Sequence, residues 1–221
     1  MINHNLASGY YPIFLNIRGR KCLVVGGGKV ALRKVKTLLE HGANVEVVSM
    51  ELCPELSKLA EEGKIRARVR SYKSEDLKGA LIAIAATANV ETNERVSADA
   101  RKQGVLINVV DVPEHSDFIV PSSLTRGDLI IAISTSGKSP ALARKIRTEL
   151  EIKFGDEYAK LAEIISEVRN ELRQEGIAVA NEAWQEALKL DSLTELLRQG
   201  NAQEAKDTLL TELRKLGQKK P

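Results

Sequence analysis

The chain has 221 residues, a formal net charge of +3 and charged residues of both signs spread along its length. This length can bury a core in one or two domains. The dispersed charge, with only 4% aromatic residues, argues against a nucleic-acid-binding arm or a base-stacking surface, so no nucleic-acid partner is expected.

No apolar run approaches the roughly 18 residues of a membrane span, and no N-terminal secretory signal is recognisable. The two cysteines, Cys22 and Cys53, suit a reduced compartment better than a disulfide framework. The three histidines lack metal-ligand spacing, so no metal site is expected. Together these features predict a cytoplasmic protein without membrane association.

A glycine-rich turn follows the first predicted strand, in the segment KCLVVGGGKVA at 21–31. It matches G-x-G-x-x-A, the turn between the first strand and first helix of a dinucleotide-binding unit. Such a turn lets the backbone approach a pyrophosphate, and the helix N-terminus offers N–H groups to it. An ordinary strand–helix turn is the alternative. The cofactor-binding residues predicted here are Gly26, Gly27, Gly28, Lys29 and Val30.

Strand and helix patterns alternate through the first half of the chain. Predicted strands cover 21–25, 44–48, 65–70, 81–86 and 105–110, and predicted helices cover 30–41, 53–62 and 90–102. This rhythm, with nearly continuous apolar strands, is typical of a parallel sheet covered on both faces. We therefore predict an α/β fold with a Rossmann-type NAD-binding domain over 1–112.

The pattern changes after Asp111. Two further strands are predicted at 118–120 and 128–134, followed by a helix from about Ala141 with Ser139 as N-cap and Pro140 as its first residue. These define a small αβ domain over 113–153. Beyond it the sequence predicts only helices, in a C-terminal domain over 154–221. Gly176 breaks its first helix, shorter helices follow around 184–190, 193–198 and 202–216, and the tail 217–221 is expected to fray.

Three segments in this order and spacing carry a family resemblance. They are YPIFL at 11–15, NVVDVP at 108–113 and STSGKSPALAR at 134–144, and AATAN at 85–89 followed by Asn93 agrees with them. The chain resembles the precorrin-2 dehydrogenases of sirohaem synthesis, which also form the N-terminal part of trifunctional sirohaem synthases. The resemblance implies NAD-dependent oxidation of precorrin-2 to sirohydrochlorin by a homodimer with a middle dimerisation domain. Some members also insert Fe²⁺ into sirohydrochlorin, and the sequence leaves that activity open.

The loops after the fourth and fifth predicted strands carry the candidate reaction groups. Asp111 lies where open parallel sheets bind ligands, and its carboxylate could take the departing proton or hold the macrocycle; capping the turn before Pro113 is the alternative. Asn108 could bind the nicotinamide amide or only neighbouring backbone. Thr87 and Ala88 are small enough for a close approach to the cofactor, and simple packing is the alternative. His115 is either a helper of an iron step or a solvent-facing loop residue.

Cofactor choice depends on the end of the second predicted strand, where NAD-binding folds usually carry an acidic residue. Here the sequence has Ser49, Met50 and Glu51, of which Ser49 or Glu51 could reach the ribose hydroxyls. No Arg or Lys lies between Asn44 and Ser57 to bind a 2′-phosphate. The sequence therefore favours NAD over NADP.

A second candidate site is the Ser- and Gly-rich stretch before the helix at Ala141. Hydroxyl groups and free helix N–H groups there suit the carboxylates of precorrin-2, and an ordinary capped helix is the alternative. The predicted substrate-binding residues are Thr135, Ser136, Gly137, Lys138 and Ser139. Further positive charge nearby comes from Arg126, Arg144, Lys145 and Arg147, of which Arg144 and Arg147 could instead face a dimer interface.

Two other functions compete with the dehydrogenase. One is a non-catalytic, NAD-sensing regulatory module, and the other is a structural dimer that has lost activity. A sensor needs no polyanion site opposite the nicotinamide, so the Asp111 turn and the second helix start favour the enzyme. Since no methyltransferase pattern follows before residue 221, the trifunctional form is not expected.

Overall fold

The computed structural model describes residues 9–217. They form two compact units, one extending to Val120 and the other beginning at Pro121. No helix among these residues is both long and apolar enough to cross a membrane. The division into three domains, at 112 and 153, stays a prediction.

The first unit contains the expected five-stranded parallel sheet, in the order β3-β2-β1-β4-β5. Its strands are β1 (Lys21–Val25), β2 (Asn44–Ser49), β3 (Arg66–Val69), β4 (Ile82–Ala85) and β5 (Leu106–Val109). Its helices are α1 (Lys29–Glu40), α2 (Pro54–Glu61) and α3 (Val90–Gln103), with short 3₁₀ turns at Ser74–Leu77 and Pro113–His115. The predicted Rossmann-type α/β fold is confirmed.

Both faces of this sheet are covered, which explains the unbroken apolar strands. In β1, Cys22 and Val24 pack in the cluster that contains α1 residues such as Val35. The alternate residues Leu23 and Val25 pack in the cluster that contains α3 residues such as Val96 and Ala100. Period-two alternation along one strand thus serves two separate cores.

The edge strand β5 is closed by side chains rather than by a sixth strand. The Val109 N–H donates to Ser116 Oγ at 2.9 Å, and the Ile107 N–H donates to Asp117 Oδ2 at 3.2 Å. The Asn108 amide nitrogen donates to the Phe118 carbonyl at 3.0 Å. The strand predicted at 118–120 is therefore wrong: the segment is held by these contacts, and Pro121, which follows it, has no N–H to continue a ladder.

At the other edge, arginines of β3 contact buried carboxylates. Arg68 lies 3.4 Å from the Glu46 carboxylate and 3.1 Å from that of Asp76. Asp76 is 1% exposed. Burial acts to raise its pKa, but hydrogen bonds from the Arg70 guanidinium and the Lys73 N–H outweigh burial and hold that pKa below its ordinary value. This edge is thus covered with fixed charge.

The second unit begins with an antiparallel hairpin of β6 (Ser122–Arg126) and β7 (Leu129–Ile133), followed by α4 (Pro140–Lys153). Ser139 caps α4 by accepting the Leu142 N–H at 3.2 Å, as predicted. Arg126 ties the hairpin to the next segment by donating to the Phe154 carbonyl at 3.0 Å.

The rest of this unit is a helical bundle, as expected. Its helices are α5 (Glu157–Gln174), α6 (Asn181–Ala187), α7 (Leu190–Arg198) and α8 (Ala202–Gly217). A stripe at three- and four-residue spacing on α5 is buried, consisting of Leu161, Ile164, Val168 and Leu172. Gly176, at φ +71°, follows α5 where the break was predicted. Gly217 ends α8, and the rest of the tail predicted to fray, 218–221, lies outside the described residues.

Candidate functional site

The glycine turn lies at the topological switch point of the first sheet. From β1 the chain crosses to β2 on one side, whereas β4 pairs with β1 on the other. Ligands of open parallel sheets bind in the crevice that such a reversal creates at the carboxyl ends of the strands. The residues that end β1, β2, β4 and β5 all border this edge.

Gly26 and Gly27 fit a space that no other residue fits. A Cβ on Gly26, which has φ +132°, would lie 2.4 Å from the Ala86 carbonyl oxygen. A Cβ on Gly27 would lie 1.8 Å from the Glu51 carbonyl oxygen. The turn is therefore wedged between the loops that follow β4 and β2, and the local packing itself requires both glycines.

Gly28 is different, because its missing side chain leaves open space. It is the N-cap residue of α1, and no heavy atom lies within 4 Å of a Cβ built on it. No side chain of the described residues caps α1, so the N–H groups of its first turn face this space. The following residues Lys29 and Val30 are exposed, whereas Ala31 is buried against the sheet. This cradle fits the pyrophosphate of a dinucleotide.

The end of β2 borders the cradle through Ser49. The Ser49 hydroxyl lies 2.8 Å from the position of a Cβ on Gly27, and the Glu51 side chain is exposed. The exposed Met50 accepts a hydrogen bond at Sδ from the Ser71 hydroxyl at 3.2 Å. These positions suit the predicted ribose contacts of Ser49 and Glu51.

Arg70 is a residue that sequence reasoning missed here. Its backbone N–H donates to the Ser49 carbonyl at 2.9 Å, so it reaches the end of β2 from the end of β3. Its guanidinium points elsewhere, since Nη1 and Nη2 donate to Asp76 at 2.9 Å and 2.6 Å. The sequence alone offered no signal for it, because its position depends on the pairing of β2 with β3.

The loop after β4 is fixed by its own side chains. The Thr87 hydroxyl donates to Asn93 Oδ1 at 2.8 Å, and the Asn93 amide nitrogen donates to the Thr87 carbonyl at 3.0 Å. Asn89 caps α3 by accepting the Thr92 N–H at 2.7 Å. The Thr87 backbone nitrogen lies 3.3 Å from a Cβ on Gly26, and Ala88 is exposed. The hydroxyl and both backbone groups of Thr87 are thus engaged within the loop, so the exposed Ala88 is what remains to face a cofactor.

Asp111 lies after β5 in a left-handed backbone conformation, with φ +62°. Its side chain is exposed, and its carboxylate forms no hydrogen bond within the described part of the chain. A non-glycine residue at positive φ is uncommon, and Asp tolerates it better than most. Asn108, in contrast, is buried and its amide nitrogen already donates to Phe118. His115 is half-buried, and its carbonyl accepts from Ser97.

Lys34 on α1 is a second residue that sequence reasoning missed. Burial lowers the pKa of its ammonium group, the charge of Arg33 lowers it further, and Asp111 acts to raise it. The charge of Asp111 thus reaches the half-buried Lys34 without a direct ion pair between them among the described residues. The signal was weak, because Lys34 belongs to an otherwise ordinary helical pattern.

The Ser- and Gly-rich loop of the second unit satisfies most of its own polar groups. Thr135 Oγ1 accepts the Ser139 N–H at 2.9 Å, and Ser134 Oγ accepts the Ser136 N–H at 3.0 Å. Ser139 caps α4, and Pro140 has no N–H, which leaves Ala141 as the only uncapped amide among the described residues 139–142. Ser136 and Gly137 have φ +55° and +81°. The expected free N–H groups are therefore few.

The cations near this loop differ in whether they form an ion pair with a carboxylate. Arg126 lies 3.3 Å from Asp156, Lys145 lies 3.4 Å from Glu149, and Arg147 pairs with Glu151. Lys138 and Arg144 are exposed and pair with no carboxylate among the described residues. Within residues 9–217 no group of three or more His, Cys, Asp or Glu could hold a metal ion.

Known proteins resemble this chain along most of its length. A family model for NAD(P)-binding domains matches residues 13–122, and the model of the central domain of sirohaem biosynthesis proteins matches residues 126–151. The sirohaem synthase of Nitrosococcus oceani is 41% identical over 202 residues, which cover 90% of this chain and 43% of that protein. The sirohaem synthase of Nitrosomonas europaea is 41% identical over 203 residues, covering 90% and 42%.

The chain thus spans less than half the length of the sirohaem synthases it matches. A solved structure, SirC, a precorrin-2 dehydrogenase, covers 93% of this chain with all of its own length, at 26% identity and a TM-score of 0.70. The nicotinamide-cofactor site expected from the glycine cradle agrees with these matches. The chain therefore belongs to the family formed by precorrin-2 dehydrogenases and the N-terminal regions of sirohaem synthases.

Proposed function

We propose that this chain catalyses the NAD-dependent dehydrogenation of precorrin-2 to sirohydrochlorin. The observation that carries the proposal is the open cradle at Gly28, at the same sheet edge as the exposed carboxylate of Asp111. The likeness to SirC, a precorrin-2 dehydrogenase, supports the choice of substrate. A dinucleotide sensor would need the cradle but not the carboxylate.

The reaction removes a hydride and a proton from the reduced tetrapyrrole. The bound nicotinamide supplies the hydride acceptor, and reduced nicotinamide and one proton are released with sirohydrochlorin. The first turn of α1 binds the diphosphate, and the loop after β4 keeps the backbone close to Gly26. Asp111 accepts the proton at its carboxylate, which is exposed at this edge of the sheet.

We infer NAD rather than NADP as the cofactor. Arg70 reaches the end of β2, but its guanidinium is bound to the buried Asp76, so it is not available to a 2′-phosphate. Ser49 and Glu51 suit the unmodified ribose. Steady-state kinetics with both cofactors test this preference, and equal kcat/KM values would contradict it.

Lys138 and Arg144 are the cations that we assign to the substrate carboxylates, together with the backbone around Ser136 and Gly137. Both cations lack a carboxylate partner among the described residues, and charge-assisted hydrogen bonds to carboxylates are the stronger class. The paired cations, such as Arg126, serve the fold of the second unit instead.

We also propose that the chain forms a homodimer in the cytoplasm, with 113–153 as its dimerisation domain. Large apolar side chains are exposed on α4, where Ile152 is 84% and Leu142 is 51% exposed. Exposed apolar surface of this kind suits an interface between copies. Both cysteines are free thiols, as expected in a reducing compartment. Sedimentation equilibrium tests the dimer, and Ile152→Lys is expected to weaken it.

Absorbance spectroscopy of the purified chain with precorrin-2 and NAD tests the activity. Formation of sirohydrochlorin together with NADH is the expected result, and unchanged spectra would support the NAD-sensing module instead. Calorimetric titration of NAD separates the two failures, because a sensor binds NAD whereas an inactive structural dimer does not. Adding Fe²⁺ to sirohydrochlorin with and without the protein tests iron insertion.

A further inference from the structure

An open groove of about 880 Å³ lies in the helical part of the second unit, between α5 and the chain that leads into α6. Its volume is within the range of about 300–1,000 Å³ that small-molecule sites occupy. Leu172, Ile177 and Leu188 give it an apolar surface, and Asn181 and Gln185 add amide groups. Apolar walls with a few polar groups are typical of ligand sites.

Two arginines without carboxylate partners line this groove. Arg169 and Arg173 lie one turn apart on α5, where like charges repel. None of the described residues that line the groove is acidic, and neither arginine pairs with a carboxylate elsewhere in residues 9–217. The helical bundle therefore holds two adjacent positive charges that it does not neutralise.

Most of the other described cations of the same bundle are paired. Arg198 contacts Glu157 at 2.5 Å, and Lys206 contacts Glu167 at 3.1 Å. Arg214 pairs with Glu171 at 3.3 Å. Against these pairs, the charge of the groove is a local property rather than a general feature of the helices. It is complementary to an anion.

Trp184 gives the groove a flat wall. It is the only tryptophan in the chain, and the Arg169 guanidinium carbon lies 5.4 Å from its ring centroid. A guanidinium in this position is attracted to the ring face, which holds the cation beside the apolar surface. Positive charge and apolar area are thus presented together.

We propose that this groove binds a small molecule with an apolar body and at least two carboxylates. The body packs against Trp184 and the aliphatic side chains, and Arg169 and Arg173 each bind a carboxylate. The inference stands apart from the proposed dehydrogenation, because every residue that carries it belongs to the helical bundle. A rigid tetrapyrrole and a flexible dicarboxylate both have this chemistry, and the experiment distinguishes them.

Calorimetric titrations of the full chain with uroporphyrin III and with hexadecanedioic acid test the proposal, and Trp184 emission is followed in parallel for hexadecanedioic acid. At least one probe is expected to bind saturably. The double variant Arg169→Gln/Arg173→Gln is expected to weaken that binding at least tenfold. Gln185→Glu, which adds a negative charge at an exposed position, is expected to weaken it as well and keeps the test valid if the double variant fails to fold.

Arg214→Gln is the matched control, because it removes a paired arginine from the same bundle, and it should leave probe affinity unchanged. Binding of uroporphyrin at another site would not respond to Arg169 and Arg173. Equal affinity in the groove variants, or no binding of either probe, would overturn the proposal. So would a changed oligomeric state in these variants, which would assign the groove to a second copy of the chain. Loss of turnover with intact groove binding would count only against the dehydrogenase.

Discussion

The two candidate sites begin alike in sequence and differ in structure. Each has a small, glycine-containing loop before a helix, at 26–28 before α1 and at 134–139 before α4. The first leaves the N–H groups of its helix open, because Gly28 has no side chain and nothing caps α1 in the described chain. The second closes on itself, because the hydroxyls of Thr135 and Ser139 accept its own N–H groups.

This difference shows how a ligand site can be distinguished from an ordinary capped helix N-terminus. Glycine allows the turn to form but has no side-chain oxygen that could accept a hydrogen bond. The backbone N–H groups at the start of the helix therefore remain available to a phosphate. Serine and threonine carry hydroxyl oxygens that accept hydrogen bonds from the same N–H groups, which are then no longer available to a ligand. In the second loop, binding therefore depends on cations such as Lys138 rather than on the helix terminus.

The largest expected effects come from the cradle. Gly27→Ala should destabilise the fold by about 3 kcal/mol, because its Cβ meets the Glu51 carbonyl. Gly28→Ala should leave the melting temperature unchanged and weaken NAD binding about tenfold, or about 1.4 kcal/mol, since its Cβ enters open space. Thermal melts and calorimetric NAD titrations measure both. Unchanged NAD affinity in Gly28→Ala would contradict the assignment of the open helix start at Gly28 as the ligand site.

Asp111→Asn should lower kcat at least about 100-fold, the size expected when a general base is removed. NAD affinity and stability should stay the same, because the carboxylate forms no hydrogen bond with described residues and Asn also tolerates positive φ. Stopped-flow absorbance of sirohydrochlorin formation measures the rate. Wild-type turnover would remove Asp111 from the mechanism.

A pair of variants in the loop at 134–139 separates stability of the α4 cap from substrate binding. Ser139→Ala should cost about 1 kcal/mol of stability through loss of the α4 cap, with little change in KM. Lys138→Met should do the reverse, raising the KM for precorrin-2 severalfold without changing the denaturation midpoint. Denaturant titrations and steady-state kinetics measure the two quantities. A rise in KM for Ser139→Ala alone would assign binding to the hydroxyl instead.

The smallest effect concerns Lys34. Its pKa is lowered in the folded state, so the unfolded chain binds the proton more tightly and the charged lysine destabilises the fold below that folded pKa. The penalty disappears as pH rises through the ordinary value of 10.5. Lys34→Met should therefore gain stability at neutral pH and lose that gain above about pH 10.5. Urea titrations at several pH values measure it, and an equal gain at every pH would refute the linkage.

Local patterns predicted much of the first unit and the start of α4 in the second. The strand at 21–25, the turn at 26–28 and the α4 cap at Ser139 depend on adjacent residues, and all three occur where the sequence indicates. Nearly continuous apolar runs also predicted which segments form a sheet that is covered on both faces. These features follow from short-range geometry.

Contacts between distant segments could not be predicted in the same way. Arg70 reaches Ser49 only because β3 pairs with β2, and the charge of Asp111 influences Lys34 only because the fold brings α1 near the end of β5. The segment 118–120 has the composition of a strand, yet side chains of Ser116 and Asp117 fill the ladder positions first. Three-dimensional pairing decides such cases, and one sequence does not contain it.

The closure of β5 by Ser116 and Asp117 also limits how copies of this chain can meet. A sheet whose outer amides are already engaged offers no template for another strand, so runaway growth through backbone pairing is blocked at that border. Association must then proceed through complementary side-chain surfaces, which can be tuned one residue at a time. Two small polar residues, Ser116 and Asp117, thus protect this edge of the sheet against fibre formation.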